Sequence, residues 1–429
     1  MIGVLIVLFI FGNYYPFIFA LAKVLLILLG ALILIDILLL YNSSKFKIKA
    51  KREAPSKLSN GDKNEIKINI KNNYKFSVHI CIIDEIPHQF QKRDFLIKKN
   101  LNSGQEKNIR YNLRPVKRGN YVFGKLNIYA SNIIGFVQRR FTFKEGQDVP
   151  VYPSFIQLRK YELMAISNRL TDSGIKKIRK ISNNNEFDQI RNYVKGDDFR
   201  TINWKTTARR SSLMVNQYQD EKAQHVYSII DMGRTMKLPF NEMSLLDYAI
   251  NTSLVISNIA IYKHDKAGLI TFSKEIHNIL PADRKNSQMY QISELLYKQK
   301  TNYEEANIEL LYATIKRKIH QRSLLLIYTN FEGFVSLDRQ LKYFKQLAKS
   351  HLVVCVFFEN SELKEVSKKR PKDTEGVYIK TIAEKFIYEK RLIVKELKKH
   401  GVHSILTEPQ NLTVDTINKY LEFKAMGLI

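Results

Sequence analysis

The sequence predicts three parts in series: an N-terminal membrane anchor, an antiparallel β-sandwich-like domain, and an α/β domain on a mostly parallel sheet. Three observations carry this reading. Residues 16–40, PFIFALAKVLLILLGALILIDILLL, form an apolar run of bilayer length, since about 20 helical residues cross the hydrocarbon. Residues 44–150 alternate polar and apolar positions in short stretches separated by turn residues, the pattern of half-buried strands. From His225 onward, short apolar runs alternate with helix-periodic segments, as in a parallel sheet covered on both faces. The expected boundaries are 1–41 for the anchor, 42–150 for the β domain, 151–221 for a basic linker with a signature block, and 222–429 for the α/β domain.

The chain has 429 residues and 69 Lys and Arg against 41 Asp and Glu, a formal net charge of +28. Such a balance suits nucleic acid or an anionic membrane surface. The apolar N-terminus favours the membrane and leaves nucleic-acid binding through the basic surface as the alternative. Two cysteines, Cys81 and Cys355, sit far apart in the apolar runs HICII and LVVCVFF. They read as buried free thiols, with neither the count nor the spacing of a disulfide framework or a metal site.

In the anchor, MIGVLIVLFIFG at residues 1–12 is short, and Asn13 to Pro16 reads as a tight loop. Lys23 can snorkel, and Asp36 lies about a turn from the end of the second run, facing the interface or a partner helix. Lys45, Lys47, Lys49, Lys51 and Arg52 follow at once. The positive-inside rule puts them in the cytoplasm, so the soluble domains are expected on that side of the membrane. The run is too long for a signal peptide and no small-residue cleavage site follows.

In the β domain, strands are expected at Lys63–Asn69, Phe76–Ile83, Lys107–Leu113, Tyr121–Tyr129 and Arg139–Lys144, separated by Asn60-Gly61-Asp62, Asn72-Asn73, Ser103-Gly104 and Arg118-Gly119-Asn120. A helix-like run, Leu158–Leu170, comes next. Then comes TDSGIKKIRKISNNN, residues 171–185, whose Lys176, Lys177, Arg179 and Lys180 could meet phosphates or headgroups, or form a solvated loop.

Residues 186–236 pack acidic, amide, aromatic and basic side chains densely. Glu186, Asp188, Arg191, Asp197, Asp198 and Arg200 alternate in sign and are expected to pair, since Arg grips carboxylates through parallel bonds. Gly196 permits a turn, Asp198 caps a short helical segment, and Trp204 reads as a buried anchor. Tyr193, Gly196, Asp197, Arg200, Ile202, Trp204, Ala208 and Arg209, followed by Asp231, resemble the signature of the domain of unknown function 58 family. The resemblance extends to Asp84-Glu85-Ile86-Pro87 and Arg114-Pro115 in the β domain and to Thr329-Asn330-Phe331 near the C-terminus. It implies multi-pass bacterial inner-membrane proteins anchored by an N-terminal transmembrane helical hairpin, here with Asn13 to Pro16 as its loop, with cytoplasmic soluble domains, a von Willebrand factor A-like α/β domain, and a role alongside MoxR-type AAA+ ATPases.

In the α/β domain, strands are expected at His225–Ile230, Lys266–Phe272, Ser323–Tyr328, His351–Phe358 and Val402–Thr407. Helices are expected at Glu242–Tyr262, Ser287–Lys298, Tyr303–Ile319, Asp338–Lys349, Ile382–His400 and Thr413–Met426. No glycine-rich phosphate motif occurs. The resemblance implies a metal-ion-dependent adhesion site, D-x-S-x-S with a later Thr and Asp. Asp231 and Thr235 match it, Thr301 supplies the later Thr, Gly233 replaces the first hydroxyl, and Asn330 stands where an Asp is expected. The cofactor is therefore none, or weakly bound Mg²⁺, an ion that tolerates water ligands. Lys385, Lys390, Arg391, Lys395, Lys398 and Lys399 make the penultimate helix basic, a solvated face or a contact for anionic lipid.

The reading is a non-enzymatic protein-binding or assembly factor. Its partner surface holds Gly196, Asp197, Arg200, Trp204 and Arg209 together with the loops after Asp231, Thr301 and Asn330. A metal-dependent hydrolase using Asp231 and Asp197 is the remaining alternative, and no base–nucleophile pair in the sequence supports it.

Overall fold

The computed structural model describes residues 2–12, 14–41, 47–144, 146–166, 186–194, 196–219, 223–301, 303–371 and 373–429. The chain divides into two compact units, Met1–Tyr152 and Pro153–Ile429. Lys45, part of the basic run after the anchor, and the basic stretch 171–185 lie outside the described residues.

The first unit opens with helices α1 (Ile2–Gly12) and α2 (Pro16–Tyr41). With 11 residues, α1 rises only about 16 Å at 1.5 Å per residue, half of a hydrocarbon core. Two described helices are long and apolar enough to cross a membrane. One of them, α5 (Leu245–Tyr262), is a core helix with most of its residues buried. That leaves α2, with a mean hydropathy of 2.9. The expected transmembrane hairpin and the multi-pass inner-membrane placement are corrected accordingly: one weak candidate span precedes a chain that is otherwise β and α/β structure.

Asp36 corrects a second expectation. It is fully buried, and its Oδ2 accepts from the backbone N–H groups of Phe136 and Val137 at 2.9 Å each. One helical turn on, the Leu40 carbonyl accepts from Tyr74 Oη at 2.9 Å and Arg139 Nη1 at 2.6 Å. The end of α2 is thus bonded to the β domain, and the carboxylate faces protein rather than a headgroup layer.

Ten strands follow: β1 (Ile48–Glu53), β2 (Leu58–Ser59), β3 (Asn64–Asn72), β4 (Val78–Asp84), β5 (Ile97–Leu101), β6 (Glu106–Leu113), β7 (Gly119–Phe123), β8 (Leu126–Ser131), β9 (Arg139–Phe143) and β10 (Gln147–Tyr152). They form sheets of order β1-β3-β6, β2-β10-β7 and β5-β4-β8-β9. All pairings are antiparallel except β10 with β2. Alternation decides which side chains go in. Ile66, Ile68 and Ile70 of β3 and Val78, Ile80 and Ile82 of β4 enter one core, with Tyr111, Phe123 and Ile128. The single strand expected over Tyr121–Tyr129 is two, broken at Gly124. A Cβ there would lie 2.5 Å from Glu85 Oε2, and the Glu85 carboxylate accepts from the Lys125 N–H at 2.8 Å.

A buried ion pair crosses this core. Arg52 Nη1 meets Asp84 Oδ1 at 2.5 Å with both side chains enclosed, Tyr111 Oη donates to Asp84 Oδ2 at 2.5 Å, and Arg52 Nη2 donates to the Gly124 carbonyl at 3.0 Å. Burial pushes the Asp84 carboxyl above its usual range, with Arg52 pulling the other way.

The second unit begins with α3 (Phe155–Ile166) and a separate two-stranded antiparallel sheet, β11 (Glu186–Asn192) and β12 (Met214–Gln219), with α4 (Trp204–Arg210) between them. A six-stranded sheet follows, built from β13 (His225–Asp231), β16 (Lys266–Phe272), β17 (Ile276–Asp283), β18 (Ser323–Tyr328), β19 (Leu352–Phe358) and β20 (His403–Thr407). A small hairpin, β14 (Pro239–Phe240) and β15 (Met243–Ser244), lies between β13 and α5. The order is β17-β16-β13-β18-β19-β20. All neighbours are parallel except the edge pair β16–β17.

Helices cover both faces of this sheet. On one lie α3, α5, α6 (Asn286–Lys298) and α11 (Leu412–Ala425), packed on Val226, Ile230, Leu324, Leu326, Val354 and Val356. On the other lie α7 (Ile308–Lys318), α8 (Phe334–Ser350) and α10 (Thr374–Lys399), packed on Tyr227, Ile229, Leu325, Ile327, Cys355 and Phe357. Strands buried on both sides have no polar face to show, hence their continuous apolar runs. Helices α7 and α8 start at Ile308 and Phe334 rather than Tyr303 and Asp338, the strands β11, β12, β14 and β15 were not expected, and other elements differ further. β17 was not expected, α9 (Ser361–Lys368) was not expected, and α10 starts at Thr374 rather than Ile382, capped by Asp373, whose carboxylate accepts from the Gly376 N–H at 2.7 Å.

Replacing Arg52 with Met strands a buried carboxylate. We expect a loss of about 3–5 kcal/mol in the first unit of the full chain, read by hydrogen exchange of the β4 amides under denaturant. Exchange in β13 and β18 should not change.

Candidate functional site

The chain leaves β13 for β16 on one side of the sheet and enters β18 on the other. Strand order therefore reverses between β13 and β18, the place where open α/β sheets hold ligands beyond the carboxyl ends of their strands. Asp231 ends β13 and Thr329 follows β18 at this crevice. Asp231 is 1% exposed. Its Oδ1 accepts from the Gly233 N–H at 2.7 Å and its Oδ2 from Thr329 Oγ1 at 2.7 Å. Burial pushes this carboxyl up from 3.8 to about 6, with the two hydrogen bonds holding it down.

Gly233 is there because nothing larger fits. A Cβ would stand 2.9 Å from Asp231 Oδ1 and 2.9 Å from the Glu304 carbonyl oxygen. The Glu304 carbonyl also accepts from the Arg234 N–H at 2.9 Å. The glycine is thus a condition for the loops to meet rather than a missing hydroxyl. The Arg234 guanidinium turns to Glu332 at 3.1 Å.

Asn330 is engaged from across the edge. Lys390 Nζ, on α10, donates to Asn330 Oδ1 at 2.7 Å and to the Phe331 carbonyl at 2.5 Å. Enclosure in protein pulls the lysine from 10.5 down to about 8, with Glu332 opposing. Lys390, Ile393 and Leu397 lie at helical spacing on one face, and the latter two are fully buried. That spacing marks Lys390 as inward-facing within a helix read as a solvated basic surface.

Two cavities flank Arg234, Thr235, Asn330 and Glu332. One, near 560 Å³, is polar and includes Asp231, Thr329, Lys274 and Arg339. The other, near 410 Å³, is apolar and includes Phe240, Phe331, Phe358, Phe386 and Lys390. Thr301 lines neither; Glu305 to Asn307 of the same connection line the polar one. Among the described residues no group of three or more His, Cys, Asp or Glu could hold a metal. The donors also argue against Mg²⁺. Both oxygens of Asp231 already accept hydrogen bonds, Asn330 Oδ1 faces an ammonium, and Gly233 has no room for an oxygen-bearing side chain. The residues present do not fit the ion that the sequence suggested.

The signature block forms a self-contained hairpin. Arg191 grips Asp197 through two bonds at 2.8 and 2.7 Å, and Asp197 Oδ2 accepts from the Val194 N–H at 2.9 Å. This ion pair raises Arg191 and lowers Asp197 from their usual values, chiefly through the side-chain hydrogen bond. Gly196 takes a φ of 117°, open to glycine and strained for other residues. Asp198 Oδ1 accepts from the Arg200 N–H at 3.0 Å and Asn203 Oδ1 from the Thr206 N–H at 3.1 Å, capping successive helical turns. Trp204 is not the expected buried anchor: it is 68% exposed, and Phe199 is 73% exposed. α4 has only seven residues, and its small core is filled by Met214 and Val215, so no apolar face receives the indole. Arg200, Lys205, Arg209 and Arg210, its neighbours in sequence, are exposed as well. Asp197 lines neither sheet-edge cavity and is committed to Arg191, so the structure does not bring it together with Asp231 as the hydrolase alternative needs.

The fold and site define an α/β unit with a closed, hydrogen-bonded sheet edge and an exposed aromatic hairpin beside it in sequence. Residues 189–376 match the family model described as Protein of unknown function DUF58, and the chain carries a domain of that family there. Over 173 residues the chain is 27% identical to the Uncharacterized protein YeaD of Bacillus subtilis (strain 168), covering 40% of this chain and 40% of that relative's length. Among solved structures, the conserved hypothetical protein BatB from Bacteroides thetaiotaomicron is similar at 14% identity and a TM-score of 0.32, over 48% of this chain and 100% of that one. An aerotolerance-related membrane protein from Bacteroides fragilis NCTC 9343, with multiple mutations to serines, is similar at 15% identity and a TM-score of 0.30, with the same coverage. Neither TM-score reaches a level that carries an argument.

Asp231 titrates in a window that stability reports. Its folded value of about 6 lies above the ordinary 3.8. Stability from the protonated carboxyl is therefore full below the unfolded value and is lost as pH rises through about 6, on the order of 3 kcal/mol at most. Asp231→Asn stays neutral. Thermal unfolding between pH 4 and 8 should show the variant more stable than wild type at pH 7.5 and flatter across the range. A variant less stable than wild type at pH 7.5, with the same pH slope, would contradict a carboxyl raised by burial.

Proposed function

We propose that this chain is a non-enzymatic protein-binding or assembly factor whose α/β unit presents the hairpin of residues 186–219 to a partner protein. The exposure of Phe199 and Trp204 carries the reading. Exposed large aromatics and arginines are the residues that dominate protein interfaces, and in the same hairpin Val194 and Leu213 are 61% and 46% exposed. Hydrogen bonds internal to the hairpin hold this surface in shape, which lowers the ordering cost of docking. The cations Arg200, Lys205, Arg209 and Arg210 favour an acidic partner face.

The von Willebrand factor A-like assignment of the α/β unit rests on its resemblance at Asp231 and is supported by the reversal of strand order there and by the antiparallel edge strand. Membrane anchoring, in this reading, falls to α2 alone. The apolar residues before Asp36 are of bilayer length, and the last turns are held by the β domain. The same resemblance makes a MoxR-type AAA+ ATPase the first partner to test.

Capture experiments with full-length protein should show Trp204→Ala and the Arg200→Glu, Arg209→Glu double variant losing at least tenfold in partner affinity with unchanged circular dichroism. If both variants retain every partner of the wild type, the hairpin is not the docking surface.

A further inference from the structure

We propose that the apolar cavity beside Asn330 binds a small amphiphilic monocarboxylate, its chain among Phe240, Phe331, Phe358 and Phe386 and its carboxylate on the Lys390 ammonium. This goes beyond the protein-binding reading and uses a different part of the unit. The cavity, near 410 Å³, falls in the range of small-ligand sites, which pair a mostly apolar wall with a few convergent polar groups. Leu238, Leu245, Leu363 and Ile387 complete the apolar wall.

The head-group chemistry follows from Lys390. An ammonium has three N–H donors, and two of them go to Asn330 Oδ1 and the Phe331 carbonyl. Both acceptors are neutral. Among the described residues no carboxylate forms an ion pair with Lys390, and the nearby Glu332 is taken by Arg234 at 3.1 Å. The side chain keeps part of its surface open, and it lines the cavity. Glu332 offsets only part of the cost of enclosing this cation, and an anion brought directly onto the ammonium recovers more of it. The other acids of the wall do not compete for the ammonium: Glu359 pairs with Lys364 at 2.6 Å, and Glu362 is exposed. Leu238 and Phe386, 52% and 45% exposed, leave a mouth through which a chain can enter. A neutral apolar ligand would fill the wall and leave the charge unanswered; a purely polar anion would leave the wall wet.

The test is calorimetric titration of hexanoate and hexanol into the full chain in lipid nanodiscs, with empty nanodiscs as the blank. Wild type should bind hexanoate saturably and at least tenfold more tightly than hexanol. Lys390→Met should lose that preference while keeping hexanol binding. Leu238→Trp, at a half-exposed position where folding is not at stake, should block both ligands. The proposal is overturned if hexanoate shows no saturable binding that Leu238→Trp removes, or if wild type does not prefer it to hexanol. Should Lys390→Met fail to fold, the wild-type preference and the Leu238→Trp block decide. A peptide ending in a free leucine that binds where hexanoate does not would overturn the small-carboxylate reading in favour of a polypeptide terminus.

Discussion

One lysine closes the carboxyl edge of the six-stranded sheet. Lys390 reaches from α10 to Asn330 Oδ1 and the Phe331 carbonyl, fixing the loop that leaves β18. The residue before Asn330 in that loop, Thr329, donates to Asp231 at the end of β13. Asp231 in turn accepts from the Gly233 N–H, and Gly233 sits against the Glu304 carbonyl. Three loops from distant parts of the chain thus meet through a short series of hydrogen bonds around one buried carboxyl. A lysine ammonium is placed against an oxygen that a divalent cation would otherwise use, and it is covalently present at all concentrations. This is a sheet edge organised for shape, with its polar groups turned on one another.

The exposed chemistry lies elsewhere, on the hairpin of β11, α4 and β12. There Arg191 is paired with Asp197, and Asp198 and Asn203 cap successive helical turns. Phe199, Trp204 and the cations Arg200, Lys205, Arg209 and Arg210 face outward. That outward-facing hairpin is the observation on which the protein-binding proposal rests.

The sheet was legible in the sequence because strands buried on both faces must be apolar throughout, and β13, β16, β18 and β19 are. β17 escaped because it is an edge strand, half-exposed along its length and carrying Pro281, which weakens a strand pattern. The strand expected over Tyr121–Tyr129 broke at Gly124 because Glu85, distant in sequence, approaches too closely for a side chain. At the site, Asp231 was legible as a strand-end carboxylate. The necessity of Gly233 was not, since it depends on Glu304. Lys390 was hidden among the charges of a basic helix, although its spacing to Ile393 and Leu397 places it on the inward face. Trp204 was misjudged because indole is usually buried, and a seven-residue helix on a two-stranded hairpin offers it no cover. The hairpin expectation followed the family resemblance against the shortness of residues 1–12, and α1 with its 11 residues leaves α2 as the one candidate span near the N-terminus.

The most direct test of a metal-free, lysine-closed edge is a calorimetric titration of Mg²⁺ into the full chain, beside Asp231→Ala checked for folding. The account predicts no saturable binding at millimolar Mg²⁺ in either protein. Saturable binding to wild type that disappears in Asp231→Ala would contradict it, and would mean that Lys390 yields Asn330 to the ion.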